Sequence, residues 1–214
     1  MSRFVLHGHA GWGSAIVEAQ LAWYGLPFDF VDAGDLFASA EARERLRAIN
    51  PIAQVPALVL PDGQVMTESA AITLHLADLT GRDDLVPGPQ AKERAAFLRW
   101  LVFLVANVYP TFSYADDPAR FVKVEGAAAG FRQEVDAHAR RLWTAVGAAA
   151  GTPHFLGARF SALDIYLMVM TCWRPRRAWF AEHAPRLLAA ADDAAARPLL
   201  APVLERNFPK TKPA

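Results

Sequence analysis

The spacing of apolar residues changes period several times in the first eighty positions. Arg3 to His7 reads as a short buried strand, ended by the glycine cluster Gly8, Gly11 and Gly13. Ser14 to Tyr24 then repeats its apolar residues with helical spacing until Gly25-Leu-Pro27 stops it. Phe28 to Val31 is a second strand. Ser39 to Ile49 is a helix with charges on one face, ended by Asn50-Pro51. Pro56–Leu60 and Gln64–Met66 flank the turn sequence Pro61-Asp62-Gly63 and predict an antiparallel hairpin, followed by a helix over Glu68 to Leu79. The order β-α-β-α-β-β-α predicts parallel strands joined by helical crossovers, with one antiparallel edge.

From Arg82 to Pro89 the chain is rich in Pro, Gly and Asp and reads as a linker. Beyond it the pattern is helical, with breaks expected at Tyr109 to Pro118, at Gly151 to Arg159 and at prolines 175, 185 and 198. The expected organisation is an α/β domain over 1–80, a linker over 81–90 and an all-α bundle over 91–214.

Composition sharpens this. With 53% hydrophobic and 21% charged residues, disorder is expected only in the tail from Asn207 to Ala214. The 22 basic and 22 acidic residues cancel, so nothing draws the chain to nucleic acid or an anionic membrane. The charge is uneven, however: up to Thr80 acidic residues exceed basic ones by five, and the remainder reverses this, which supports a boundary near Gly81. The single cysteine, Cys172, excludes an internal disulfide, a C-x-x-C redox pair and a cysteine-based zinc site; no metal is expected. Met1 leads almost directly into Phe4-Val5-Leu6, leaving no room for a signal peptide, and the apolar run Trp100 to Val108 is too short to span a bilayer. A cytoplasmic location is the expectation.

Asn50-Pro51-Ile52-Ala53-Gln54-Val55-Pro56-Ala57-Leu58, then Asp62-Gly63, then Thr67-Glu68-Ser69-Ala70-Ala71-Ile72, resembles the glutathione-binding half of the cytosolic glutathione S-transferase (GST) family. Phe160-Ser161-Ala162-Leu163-Asp164-Ile165 is similar to that family's helix-start motif in the second domain, so the resemblance covers nearly the whole chain. It implies a thioredoxin-like first domain, a GST-type helical bundle, and glutathione as co-substrate. It also implies a cis Val55–Pro56 peptide whose exposed backbone takes glutathione as an added strand, with Gln54, Val55, Pro56, Glu68 and Ser69 in the binding site. Glu68 would hold the ligand's ammonium group, and Ser69 with the helix N-terminus a carboxylate. A plain helix cap by Thr67 or Ser69 is the competing reading. Ser161 and Asp164 fit an S-x-x-D capping box, a structural device worth about 1 kcal/mol or more.

Family members lower the thiol pKa with a hydroxyl, or carry a cysteine, in the loop between the first strand and helix. Here the tyrosine-type position falls on His7, the serine-type on Gly11 and the cysteine-type on Gly13, so no role carries over directly. Ser14 is the nearest hydroxyl, and a helix-start role is as good an account of it. His9 is a second candidate as a polar donor, and backbone N–H groups of the loop are a third. Trp12 is either a lid over the thiol or a packing anchor.

A second substrate, by resemblance a small hydrophobic electrophile, would use Trp12 with Tyr109, Phe112 and Tyr114, clustered where Pro110 is expected to break a helix; core packing is the alternative for these aromatics. Cys172 reads as a buried small hydrophobe, and Arg174, Arg176 and Arg177 as a solvated helix end. The resemblance implies a glutathione transferase acting as a homodimer. A non-catalytic glutathione-binding or docking protein on the same fold is the alternative.

Overall fold

The computed structural model describes residues 3–209; residues 210–214 of the expected disordered tail lie outside the described residues. The chain divides into two compact units. One comprises the residues up to Val86 together with those from Ala194 onward, and the other runs from Pro87 to Asp193. The second division falls inside a helix, so the end of the chain joins the α/β unit.

The first unit contains β1 (Phe4–Gly8), α1 (Ser14–Tyr24), β2 (Phe28–Asp32), α2 (Ala40–Arg47), β3 (Ala57–Val59), β4 (Val65–Met66) and α3 (Ser69–Thr80). Gly25 ends α1 in the left-handed conformation (φ 67°), which costs a residue without Cβ little, and Ser39 Oγ caps α2 by accepting from the Ala42 amide. The sheet order is β2-β1-β3-β4, with β1 parallel to β2 but antiparallel to β3, and β3 antiparallel to β4. The sheet therefore has two antiparallel junctions where a single antiparallel edge was expected. The cause lies between β2 and β3: α2 has eight residues and is followed by the loop through Asn50 and Gln54, so the chain stays at the end where β2 finished. Strand β3 must then run back against β1. Leu6, Ile16, Leu21, Leu58, Ile72 and Leu76 are fully buried and form the core, each contributing roughly 1.5–3 kcal/mol.

In the second unit α4 (Arg94–Phe103) runs through a π-helical turn (Leu104–Val108) into α5 (Tyr109–Asp116). The expected break at Pro110 is absent. A proline ring clashes with the carbonyl four residues back, and the wider π turn just before it relieves that clash without stopping the helix. The resulting run Arg94–Asp116 is long and apolar enough to cross a membrane by length and composition, more than the Trp100–Val108 stretch suggested; Phe97, Trp100, Leu101, Leu104, Val108 and Phe112 on it are buried. It is followed by α6 (Ala128–Ala149), α7 (Ala162–Met170), α8 (Arg177–His183) and α9 (Pro185–Ala196). Every residue of α7 is buried, as an all-round apolar helix requires. Its start carries the expected capping box: Asp164 Oδ2 accepts from the Ser161 amide (2.8 Å), Asp164 Oδ1 from the Phe155 amide (2.8 Å), and Ser161 Oγ from Leu163.

The last helix, α10 (Ala201–Asn207), lies beside α1 in the first unit. Asn207, expected to begin a disordered tail, is its buried final residue.

Candidate functional site

Strand register brings four segments to one end of the sheet. The C-terminal Gly8 of β1 is level with Asp32 at the end of β2; His7 is level with Ala57, the first residue of β3; and Met66, opposite Leu58, hands on to Thr67 and Glu68. Asp32, the loop 9–13, the approach to β3 through Val55 and the start of α3 thus line up across the sheet in the order of its strands. Residues far apart in sequence become neighbours by topology.

The β1–α1 loop is closed by Ser14. Its hydroxyl donates to the His9 carbonyl (3.1 Å) and accepts from the His9 amide (3.1 Å), and the residue is fully buried. The Trp12 amide also returns to the His9 carbonyl (3.1 Å). This arrangement favours the helix-start reading of Ser14, since its one proton is committed within the loop. Gly13, at the N-cap position, gives α1 no side-chain cap, and the amides of Ala10, Gly13 and Ser14 donate to no group among the described residues. Such amides at a helix start favour an anion. The Trp12 ring packs on Phe37 (centroids 4.9 Å apart), against His9 edge-on (5.0 Å), and onto the small core of Ala33, Leu36, Ala42 and Leu46, so it anchors the loop to α2.

His9 carries the polar chemistry of the loop. Its Nδ1 lies 2.8 Å from Asp32 Oδ1. The hydrogen bond from His9, and one from the Gly34 amide, hold the Asp32 carboxyl below its ordinary pKa. His7, two residues earlier on β1, has its pKa lowered by burial.

The Val55–Pro56 peptide is cis, as the resemblance implied. Neither the amide nor the carbonyl of half-buried Val55 is paired among the described residues, because the β1–β3 ladder begins at Ala57. The sequence reading did not single out the residue that shapes this approach. Buried Asn50 donates to the Gln54 carbonyl (2.8 Å) and accepts from the Ile52 amide (3.3 Å), holding Ala53 at φ 52°. Gln54 itself is exposed.

Glu68 occupies the N-cap position of α3 at φ 63°, ψ 101°, and its side chain does not cap the helix. A non-glycine residue held there costs about 1–3 kcal/mol, and such outliers concentrate where a ligand is clamped. Ser69 is the buried first residue of α3. The competing capping reading, with Glu68 inside the first turn, does not describe this helix start.

The aromatic residues of the second unit do not form one surface. Tyr109 and Phe112 meet Trp173 edge-on (5.5 and 5.0 Å), while exposed Tyr114 meets Phe121 edge-on (4.9 Å). Phe112 is buried and borders a cavity of about 120 Å³ shared with Thr111, Asp136, Ala139, Arg140, Arg174 and Pro175, a lining that mixes charged and apolar groups. Arg174 pairs with Asp116 (2.7 Å) and Asp136 (3.1 Å), and Arg177 with Asp192, so the three arginines are not simply a solvated helix end. Cys172 is half-buried and its thiol is pushed up by burial. Among the described residues, no three of His, Cys, Asp and Glu are grouped to hold a metal ion.

A four-stranded sheet of this order, with an unladdered backbone edge at Val55 and a helix start at Glu68, defines the class as a thioredoxin-like domain joined to a helical one. Residues 14–79 match the family model for the glutathione S-transferase N-terminal domain. The uncharacterized GST-like protein YncG of Escherichia coli (strain K12) is 37% identical over 94% of this chain and 97% of its own. A sphingomonad glutathione S-transferase solved with glutathione is 29% identical, with a TM-score of 0.72 over 96% of this chain and 100% of that one. A glutathione transferase homolog from Sulfitobacter, also with bound glutathione, superposes with a TM-score of 0.84 over 95% of this chain and 97% of that one; at 23% identity it speaks to the fold alone. The chain belongs to the glutathione S-transferase family.

Proposed function

We propose that this protein binds glutathione at the end of the sheet and presents its thiol as a thiolate nucleophile to a small hydrophobic electrophile. The observation that carries the reading is the pairing of an unladdered Val55 backbone with Glu68, held at positive φ on the start of α3. The first offers the tripeptide an antiparallel edge. The second offers a carboxylate to its ammonium, and Ser69 with the α3 amides a place for its carboxylate. The thiol would then lie toward the loop 9–13, where the α1 N-terminus and His9 lower its pKa. Asp32 keeps a proton on His9 Nδ1, so Nε2 is the acceptor that takes the thiol proton, and the resulting imidazolium donates it back as a hydrogen bond to the thiolate. The reading includes a cytoplasmic homodimer, checked by sedimentation.

A second reading, a glutathione-binding protein without turnover, is favoured by the commitment of the Ser14 hydroxyl to His9. The deciding experiment is the thiol pKa of bound glutathione, followed as thiolate absorbance in an ultraviolet difference titration. A value well below that of free glutathione supports catalysis; binding without a shift supports the second reading; no binding rejects both.

A further inference from the structure

Buried Glu18, in the middle of α1, is 2% exposed and faces α10. Its Oε1 accepts from Arg206 Nε (2.8 Å) and Nη2, and its Oε2 from Asn207 Nδ2 (2.7 Å). The Asn207 amide also donates to the Val203 carbonyl (3.0 Å), and Asn207 Oδ1 accepts from the amide of Gly11 in the candidate thiol loop (3.1 Å). The orientation of this amide follows from its partners. A carboxylate and a carbonyl only accept, so Nδ2 must face them, which turns Oδ1 toward the Gly11 N–H. The loop approaches so closely that a Cβ on Gly11, at φ 78°, would sit 3.2 Å from the Asn207 carbonyl oxygen.

We propose that Asn207 is a positioning residue for the thiol site: with Glu18 behind it, it grips the Gly11 amide and fixes the path of the loop 9–13. The proposal rests on the glutathione reading above. Trp12 fastens the loop toward α2 and Asn207 fastens it toward α10. Between these anchors lie the unpaired amides of Ala10 and Gly13 and the His9 ring. Glu18 aligns the Asn207 dipole, its charge is offset by Arg206, and the Gly11 amide is thereby withdrawn from the donors left for a ligand. The effect on substrate runs entirely through the loop, so glutathione affinity, set by Val55, Glu68 and Ser69, is not what Asn207 governs.

The experiment compares wild type, N207A and the double variant E18Q/N207D. In the double variant the side-chain amide introduced on α1 can donate to the carboxylate introduced on α10, which still accepts from Gly11, so the grip is kept; the bond to the Val203 carbonyl is lost, so the return is expected to be partial. Three quantities are read: hydrogen exchange at the Gly11 amide in ligand-free protein, glutathione affinity, and the thiol pKa of bound glutathione. For N207A the expectation is Gly11 exchange at least about tenfold faster, affinity within about threefold of wild type, and a bound-thiol pKa raised by about one unit, with E18Q/N207D returning toward wild type. A lower melting temperature in N207A with unchanged Gly11 exchange or unchanged thiol pKa overturns the proposal. Should N207A not fold, N207S, too short to reach Gly11, is held to the same readouts. If wild type fails to bind glutathione the functional reading falls and the proposed role falls with it, whereas the Gly11 exchange still reports whether the grip itself exists.

Discussion

Asp32 Oδ1 stands 2.8 Å from His9 Nδ1, joining the ends of two parallel strands. An ionised carboxylate only accepts, so the imidazole carries its proton on Nδ1. Because the Asp32 carboxyl titrates below its ordinary value, the bond persists through neutral pH and is lost only as pH falls through that lowered pKa. D32A leaves the ring without this acceptor. On the proposed function, the variant is expected to lose about tenfold in kcat while KM for glutathione changes little, measured across pH 5 to 9.

Ser14 gives a prediction of the opposite kind. S14A strips both bonds that close the loop on His9 and leaves the His9 amide without an acceptor, while the His9 carbonyl keeps the Trp12 amide; the expected cost is about 1–3 kcal/mol in chemical denaturation. The bound-thiol pKa of a refolded S14A should stay close to wild type; a rise of a full unit would instead assign the hydroxyl to the sulfur.

Gly8 faces the same serine. A Cβ there would lie 2.4 Å from both Ser14 Cβ and Oγ, so G8A is expected to destabilise the first unit by about 2 kcal/mol, read as a shifted denaturation midpoint at unchanged slope.

Glu68 makes the clearest ligand prediction. E68A removes a carboxylate that does not cap its own helix, so the melting temperature should hold. Calorimetry should show glutathione affinity lowered by about ten- to a hundredfold, the worth of one charged hydrogen bond. Unchanged affinity would remove Glu68 from the site.

His7 predicts the acid side of stability. Burial lowers its pKa in the fold, so the unfolded chain takes up a proton first as pH drops below about 6.5, and stability falls from there toward the folded value. H7Q should flatten the dependence of melting temperature on pH across that window.

Local chemistry was readable in the chain. The stop at Gly25, the Pro61-Asp62-Gly63 hairpin and the Ser161–Asp164 box each depend on residues close together in sequence, and each stands where the pattern put it. Strand direction was not, because nothing in the composition of Ala33 to Val55 says whether α2 returns the chain to the far end of the sheet. Pro110 misled because a π turn, which has no sequence signature as strong as the proline's, accommodates it. The pieces of the candidate ligand site were legible only as a resemblance, and the Glu18–Asn207–Gly11 relay not at all: a buried glutamate in an apolar helix and an asparagine near the end of the chain carry no shared pattern until α10 is laid beside α1.

The same sheet polarity that gathers Asp32, His9, Val55 and Glu68 at one end of the strands puts the 25–27 and 61–63 connections at the other. Strand β3 carries the chain away from Val55 to the exposed Pro61-Asp62-Gly63 turn, one strand length from the candidate thiol site. That turn is the natural anchor for a surface tether, a fluorophore or an inserted epitope: whatever is attached there hangs from the blunt end of the sheet and leaves the working end open to solvent.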